Sequence, residues 1–269
     1  MHDSLVRGMR HGKNPWAAAI ASLMVAGLAT MPSAHADEAQ AKALFKAMSD
    51  YLAAQKSFSF DSDTSLEVVT TQKQKIALVS SGTVTMSRPD KVRISRAGGF
   101  ATVEILFDGK ILTAVDDSAK KYAQTEIPGT VDNLIDVLRD KHNRPVPGAD
   151  LLAADLYGEL MPQVVDIKDL GSGVIRGIEC DHFAFRTKEV DWQIWIAQGA
   201  HPYPCSYVIT STKVEGWPQY TIDISNFKAG TPVAADSFSF KAPADFTKVK
   251  AEDLVDTDEL PAIFRAKNK

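Results

Sequence analysis

Gly82-Thr83-Val84-Thr85-Met86-Ser87-Arg88-Pro89, then Lys91-Val92-Arg93-Ile94, then Asp108-Gly109-Lys110 form the stretch that decides the fold. Each piece alternates apolar and polar residues and stops in turn chemistry, the mark of consecutive antiparallel strands. Arg88-Pro89 ends one strand because proline has no N–H to give to a ladder. Asp108-Gly109 supplies the positive φ of a tight hairpin. Just upstream of that turn Val103, Ile105 and Phe107 share one face, opposite Thr102 and Glu104, and Ile111 to Val115 return from it. Further upstream, Phe58-Ser59-Phe60, Ile76-Ala77-Leu78-Val79 and the pair Val84 and Met86 extend the same pattern. Closely spaced strands with short turns predict a meander.

Helical periods flank and interrupt these strands. Over residues 38–55, Leu44, Met48 and Leu52 repeat at i, i+4, i+8 with Phe45 and Tyr51 beside them, while Lys42, Lys46 and Asp50 face away. Thr130 can cap a helix whose stripe is Val131, Leu134, Ile135 and Leu138, ended by Asn143-Arg144-Pro145. Pro145-Val146-Pro147-Gly148 is a non-helical linker, and Asp150 can cap a second short helix, Leu151 to Leu160, stopped before Pro162. Two small helices over about residues 130–161, set between strand runs, occupy the place of a lid. Strands resume at Val164 to Leu170, Val174 to Thr187 (with Phe183 and Phe185 on one face), Trp192-Gln193-Ile194-Trp195-Ile196, Tyr207 to Ile209 and Tyr220 to Phe227. Residues 251–269 read as a charged, weakly patterned tail that frays. The pattern predicts one α+β domain over 37–250.

The N-terminus reads as an export signal. Arg7, Arg10 and Lys13 precede an apolar run from Trp16 to Ala29, and Ala34-His35-Ala36 offers a cleavage site before Asp37. The run is shorter than the roughly 20 residues that span a bilayer, and the residue after the cut is not cysteine, so residues 1–36 are expected to leave without a lipid anchor. The leader holds three of the 30 basic and one of the 34 acidic residues, which leaves the mature chain with a net charge of −6. An acidic chain without a basic block gives no electrostatic footprint for nucleic acid.

Few residues suggest chemistry. Cys180 and Cys205 lie 25 positions apart in a chain bound for an oxidising compartment, which favours a disulfide. With His182 and His201 they also compose the ligand set of a closed, structural zinc site, and unpaired thiols are the third reading. Gly171-Ser172-Gly173 has the wrong spacing for a dinucleotide loop and precedes a strand, so it reads as a tight turn. No serine sits in a Gly-x-Ser-x-Gly elbow. His142 ends a lid helix, where a cation suits the dipole, and Asp116-Asp117 reads as a solvated turn. Neither a catalytic group nor a cofactor or metal is called for. Phe183, Phe185, Trp192 and Trp195 read as core, and periodicity does not separate a core face from a cavity wall.

The order of the Gly82 to Pro89 and Asp108-Gly109-Lys110 elements resembles the periplasmic lipoprotein-carrier (LolA-like) family, as does Val233-Ala234-Ala235-Asp236-Ser237-Phe238-Ser239-Phe240 before Pro243, which looks like that family's closing strand. The segment Gly177 to His182 with Val190-Asp191-Trp192-Gln193-Ile194-Trp195 is similar to predicted periplasmic proteins of unknown function assigned to the same superfamily. The resemblance implies an incomplete antiparallel β-barrel with a helical lid that holds an apolar ligand, such as a lipid or a lipoprotein acyl chain. It implies a cavity lined by Val103, Ile105, Phe107, Leu134, Leu138, Phe183, Phe185, Trp192 and Ile194. It also implies that Arg88 hydrogen-bonds the lid and holds it shut; without the family, Arg88 reads as a solvated strand-end arginine. The partners so implied are the lipid or acyl chain and a membrane-bound donor or acceptor protein. Proteins that sense envelope stress reuse this fold, so a lipid-sensing regulator is the alternative to a carrier, with a structural interaction protein or an enzyme behind both.

Overall fold

The computed structural model describes residues 34–70, 72–141 and 146–254, with side chains from residue 37 onward. The apolar leader segment, His142-Asn143-Arg144-Pro145 and the tail beyond Leu254 lie outside the described residues.

Among the described residues twelve strands form one sheet: β1 (Ser57–Val69), β2 (Lys75–Ser87), β3 (Lys91–Gly98), β4 (Thr102–Phe107), β5 (Ile111–Asp116), β6 (Lys121–Glu126), β7 (Asp166–Ile175), β8 (Ile178–Arg186), β9 (Val190–Ala197), β10 (Pro204–Ser211), β11 (Gln219–Ala229) and β12 (Thr247–Lys248). Their spatial order is β12-β6-β5-β4-β3-β2-β1-β11-β10-β9-β8-β7. Every pair is antiparallel except β6 with β12. The end strands β7 and β12 each pair on one side, so the sheet is an incomplete barrel, as expected. Two meanders, β1 to β6 and β7 to β11, meet where β1 pairs with β11.

The opening stretch builds the middle of this sheet. Val84 pairs with Phe60 and Ile94, and Met86 with Phe58 and Val92, which puts six apolar side chains in two rows on one face. Gly82 lies opposite Ser62 and Arg96, where a Cβ would collide with the Ser95 carbonyl, so only glycine admits this close pairing. Gly109 sits at φ 95° in the β4–β5 turn, and Asp108 Oδ1 accepts from the Lys110 and Ile111 N–H groups at 2.9 and 2.8 Å.

The helices cover that same apolar face. In α1 (Ala34–Ala54) the fully buried stripe is Ala41, Phe45, Met48 and Leu52, rotated slightly from the expected one, with Leu44 only partly buried. Phe45 lies 5.2 Å from Trp192 and 5.5 Å from Phe185, centroid to centroid, which seats α1 on β8 and β9. Thr130 caps α2 (Val131–Asp140) by accepting from the Asn133 N–H at 3.2 Å, and Val131 and Leu134 are buried.

Several expectations need correction. Asp150 caps no long helix: residues Ala149–Leu152 make a 3-10 turn, Ala153 turns extended at ψ 150°, and Asp155 starts a separate α3 (Leu156–Leu160) by accepting from the Gly158 N–H at 2.8 Å. Gly171-Ser172-Gly173 is not the turn between strands. It is a bulge inside β7, with Gly171 at φ 80° and its N–H on Asp169 Oδ1, and the reversal comes later at Arg176-Gly177, φ 49° and 82°. Residues 233–240 form no strand; Ala235–Phe238 is a 3-10 turn that buries Phe238 and gives the Ser237 carbonyl to Arg93. Asp116 is buried rather than solvated, its Oδ1 accepting from the Ala119 N–H at 2.9 Å. The alternation of apolar and polar residues marks neither residues 61–69 nor strand β6.

Candidate functional site

The helical cover is held down at one short segment, residues 149–153. Arg88, at the end of β2, donates from Nη1 to the Leu152 carbonyl and from Nη2 to the Ala153 carbonyl, both at 3.0 Å. These oxygens end a 3-10 turn and have no helical partner of their own, and a guanidinium fork suits two acceptors at once. From the other side, the Tyr207 hydroxyl on β10 donates to Asp150 Oδ2 at 2.9 Å. Asp132 on α2 accepts from the Ala154 N–H at 2.8 Å, and Ser49 on α1 accepts from the Tyr157 N–H at 3.0 Å, so all four covering elements are tied together.

Burial sets the electrostatics of this clasp. It lowers the Arg88 guanidinium below its ordinary range, opposed by the charge of Asp132. The ring of Phe58 lies 5.6 Å beneath the guanidinium carbon and offers it a cation–π contact. Burial raises Asp150, and the Tyr207 hydrogen bond opposes the rise. Burial also drives Tyr207 well above its usual value, reinforced by Asp150. The ordinary carboxylate value is 3.8. A pKa raised by folding makes the stability it contributes full below that value and lost as pH climbs through the folded value. Asp150→Asn, which keeps the acceptor for Tyr207, should therefore raise the urea midpoint at pH 7 and leave it unchanged at pH 3; an equal effect at both pH values contradicts this origin.

Beneath the clasp lies an aromatic floor. Phe185 stacks on Trp192 at 3.9 Å and 12°, and Tyr207 meets Trp192 edge-on at 5.9 Å. Phe107, Leu134, Phe183, Phe185, Trp192 and Ile194 are buried in one cluster, with Leu138 partly buried against it. Val103 is buried and Ile105 half-buried on β4, both outside that cluster. Side chains thus fill the space between sheet and helices, with Phe45, Leu151, Leu152 and Leu156 as its upper wall. A groove of about 520 Å³ opens instead on the opposite face, among Asp63, Ser65, Ser81, Thr221 and Asp223. Two buried donors in the described residues have no hydrogen-bond partner, Arg88 Nε and Trp192 Nε1. Tyr207 and the buried Phe45 are not singled out by the sequence; the only signal is the aromatic at the head of an apolar strand, and the sheet pairing that faces it toward Asp150 is non-local.

The cysteines are joined to each other, Cys180 to Cys205, which removes the zinc reading. The bond lies in a small separate cluster with Ala197, Ile175, Trp195 and Tyr203. His182 stacks on Trp195 at 3.9 Å, and His201 faces Tyr51, so the two imidazoles do not converge on the sulfurs.

An uncharacterized conserved protein from Thermus thermophilus is similar in structure, with TM-score 0.48 and 11% identity over 78% of this chain and 99% of that one. The Mycobacterium tuberculosis lipoprotein LppX aligns with TM-score 0.39 and 14% identity over 74% of this chain and all of the other. A LolA superfamily protein from Nitrosomonas europaea aligns with TM-score 0.37 and 10% identity over 74% and 97%. Among curated proteins none matches. No helix among the described residues is long and apolar enough to cross a membrane. Residues 41–251 match the family described as predicted periplasmic protein (DUF2092), and the chain belongs to that family.

Proposed function

We propose that this protein binds and carries an apolar ligand, a lipid or a lipoprotein acyl chain, in the periplasm after its leader is cleaved before Asp37. The observation that carries this reading is the clasp: one short segment is held over an aromatic floor by three side-chain hydrogen bonds, two from Arg88 and one from Tyr207. Bonds to backbone carbonyls at a segment end can be exchanged without unfolding the sheet, so the cover is poised to lift. On opening, an acyl chain replaces helix side chains against Phe183, Phe185, Trp192 and Ile194. The unpartnered Arg88 Nε and Trp192 Nε1 offer donors to an ester or carboxyl oxygen at the head of that chain. A membrane-bound donor or acceptor protein would load or unload it.

Mass spectrometry of lipids retained by the protein purified from the periplasm tests the reading, together with displacement of a fluorescent fatty acid from delipidated protein. Stoichiometric lipid and competitive displacement are expected. Neither lipid nor displacement would overturn it and leave a regulator or structural protein as the better reading.

A further inference from the structure

We propose that three hairpin tips at one end of the sheet form a docking surface for an anionic bilayer. The tips are the turns between β1 and β2, β8 and β9, and β10 and β11, and side chains tie them together. Thr212 Oγ1 donates to the Glu189 carbonyl at 2.8 Å, Lys73 pairs with Glu215 at 2.9 Å, and the Gln219 N–H reaches Glu67 Oε2 at 3.0 Å. Gly216 lies so close to Val69 that a Cβ there would meet the valine methyl at 3.0 Å.

Trp217 is what sets this end apart. It sits at φ 47°, a left-handed backbone conformation unusual for a bulky residue, and its side chain is 62% exposed. The turn is fixed on both sides, with the Trp217 N–H on the Val214 carbonyl at 3.0 Å and the Ser211 N–H on the Pro218 carbonyl at 3.0 Å. The hairpin therefore holds an indole out into water at a backbone cost, beside Val214 at 48% exposure.

The charges say which occupant fits. The whole chain has a net charge of −4. These tips carry Lys73, Lys75, Lys188 and Lys213 against Glu67, Glu189 and Glu215. Lys73 and Lys75 are ion-paired, whereas among the described residues Lys188 and Lys213 have no carboxylate partner. An exposed indole and valine on tips that carry one lysine more than glutamates, two of those lysines unpaired among the described residues, match the interfacial zone of a bilayer, where the ring lies at headgroup level and the ammonium groups meet anionic lipid. The proposal stands on this end of the sheet alone and does not depend on ligand uptake under the helices.

The test is cosedimentation of the exported chain with vesicles of phosphatidylethanolamine and phosphatidylglycerol, 3:1, and with phosphatidylcholine alone. Binding to the anionic vesicles is expected, with a blue shift of tryptophan emission that Trp217→Ser removes along with about tenfold of the affinity. Lys188→Glu with Lys213→Glu should weaken binding to the anionic vesicles only, in a salt-dependent way. Absence of binding overturns the proposal, as does equal binding by Trp217→Ser. A blue shift that follows protein concentration without vesicles would make a second copy the occupant and would also overturn it. Fatty-acid displacement run on the same variants stays unchanged, which separates this outcome from the fate of the carrier reading.

Discussion

Arg88→Leu should shift the open–closed balance of the helical cover by about 1–3 kcal/mol, a factor of roughly 5–150. The substitution deletes two charge-assisted hydrogen bonds to the Leu152 and Ala153 carbonyls. It also relieves a partly desolvated guanidinium with an unpartnered Nε, which offsets part of the loss. The sheet does not depend on this side chain, so the urea midpoint should move little while amide exchange at 149–154 accelerates. Ligand release from the variant should change by the same factor. Arg88→Lys should resemble leucine more than wild type, because a point charge cannot span two carbonyls as the fork does. Unchanged exchange and release in both variants would return Arg88 to an ordinary strand-end arginine.

Breaking the Cys180–Cys205 bond should cost about 3 kcal/mol of stability, the loop-closure entropy of a loop of this size. Both sulfurs are buried, and the bond ties β8 to β10 across β9. Cys180→Ala with Cys205→Ala, or reductant on the wild type, should lower the urea midpoint accordingly. The clasp lies in a different cluster, so exchange at 149–154 should not respond. Intact mass without reductant should fall below the reduced value by the mass of two hydrogen atoms. Two free thiols, or an unmoved midpoint after reduction, would contradict this account.

Turn chemistry and local period were legible because they act over a few residues. The alternation from Gly82, the stop at Arg88-Pro89 and the turn at Asp108-Gly109 marked strands β2 to β5, and Thr130 marked the start of α2. The family resemblance, not periodicity, directed attention to Arg88. Reading failed where a local signal had to compete with packing. Asp150 has the chemistry of a cap, but the Tyr207 hydroxyl takes its carboxylate. Residues 61–65 are all polar and carry no apolar alternation, yet they form strand because β2 and β11 pair on both sides of them. Val233 to Phe240 looked like a strand, yet Ala235–Phe238 closes into a 3-10 turn that buries Phe238.

By itself the sequence determined the class, an α+β chain of antiparallel hairpins with helices between them, because patterning and turns are set by neighbours a few residues apart. The tertiary structure alone decided that β1 pairs with β11, that Arg88 and Tyr207 both bond to residues 149–153, and that Trp217 stands exposed at a hairpin tip. The β1–β11 pairing sets Phe58 beside Ala229, 171 positions along the chain. Contacts at such separations depend on which hydrophobic faces find each other in the folded chain, and no local period encodes them.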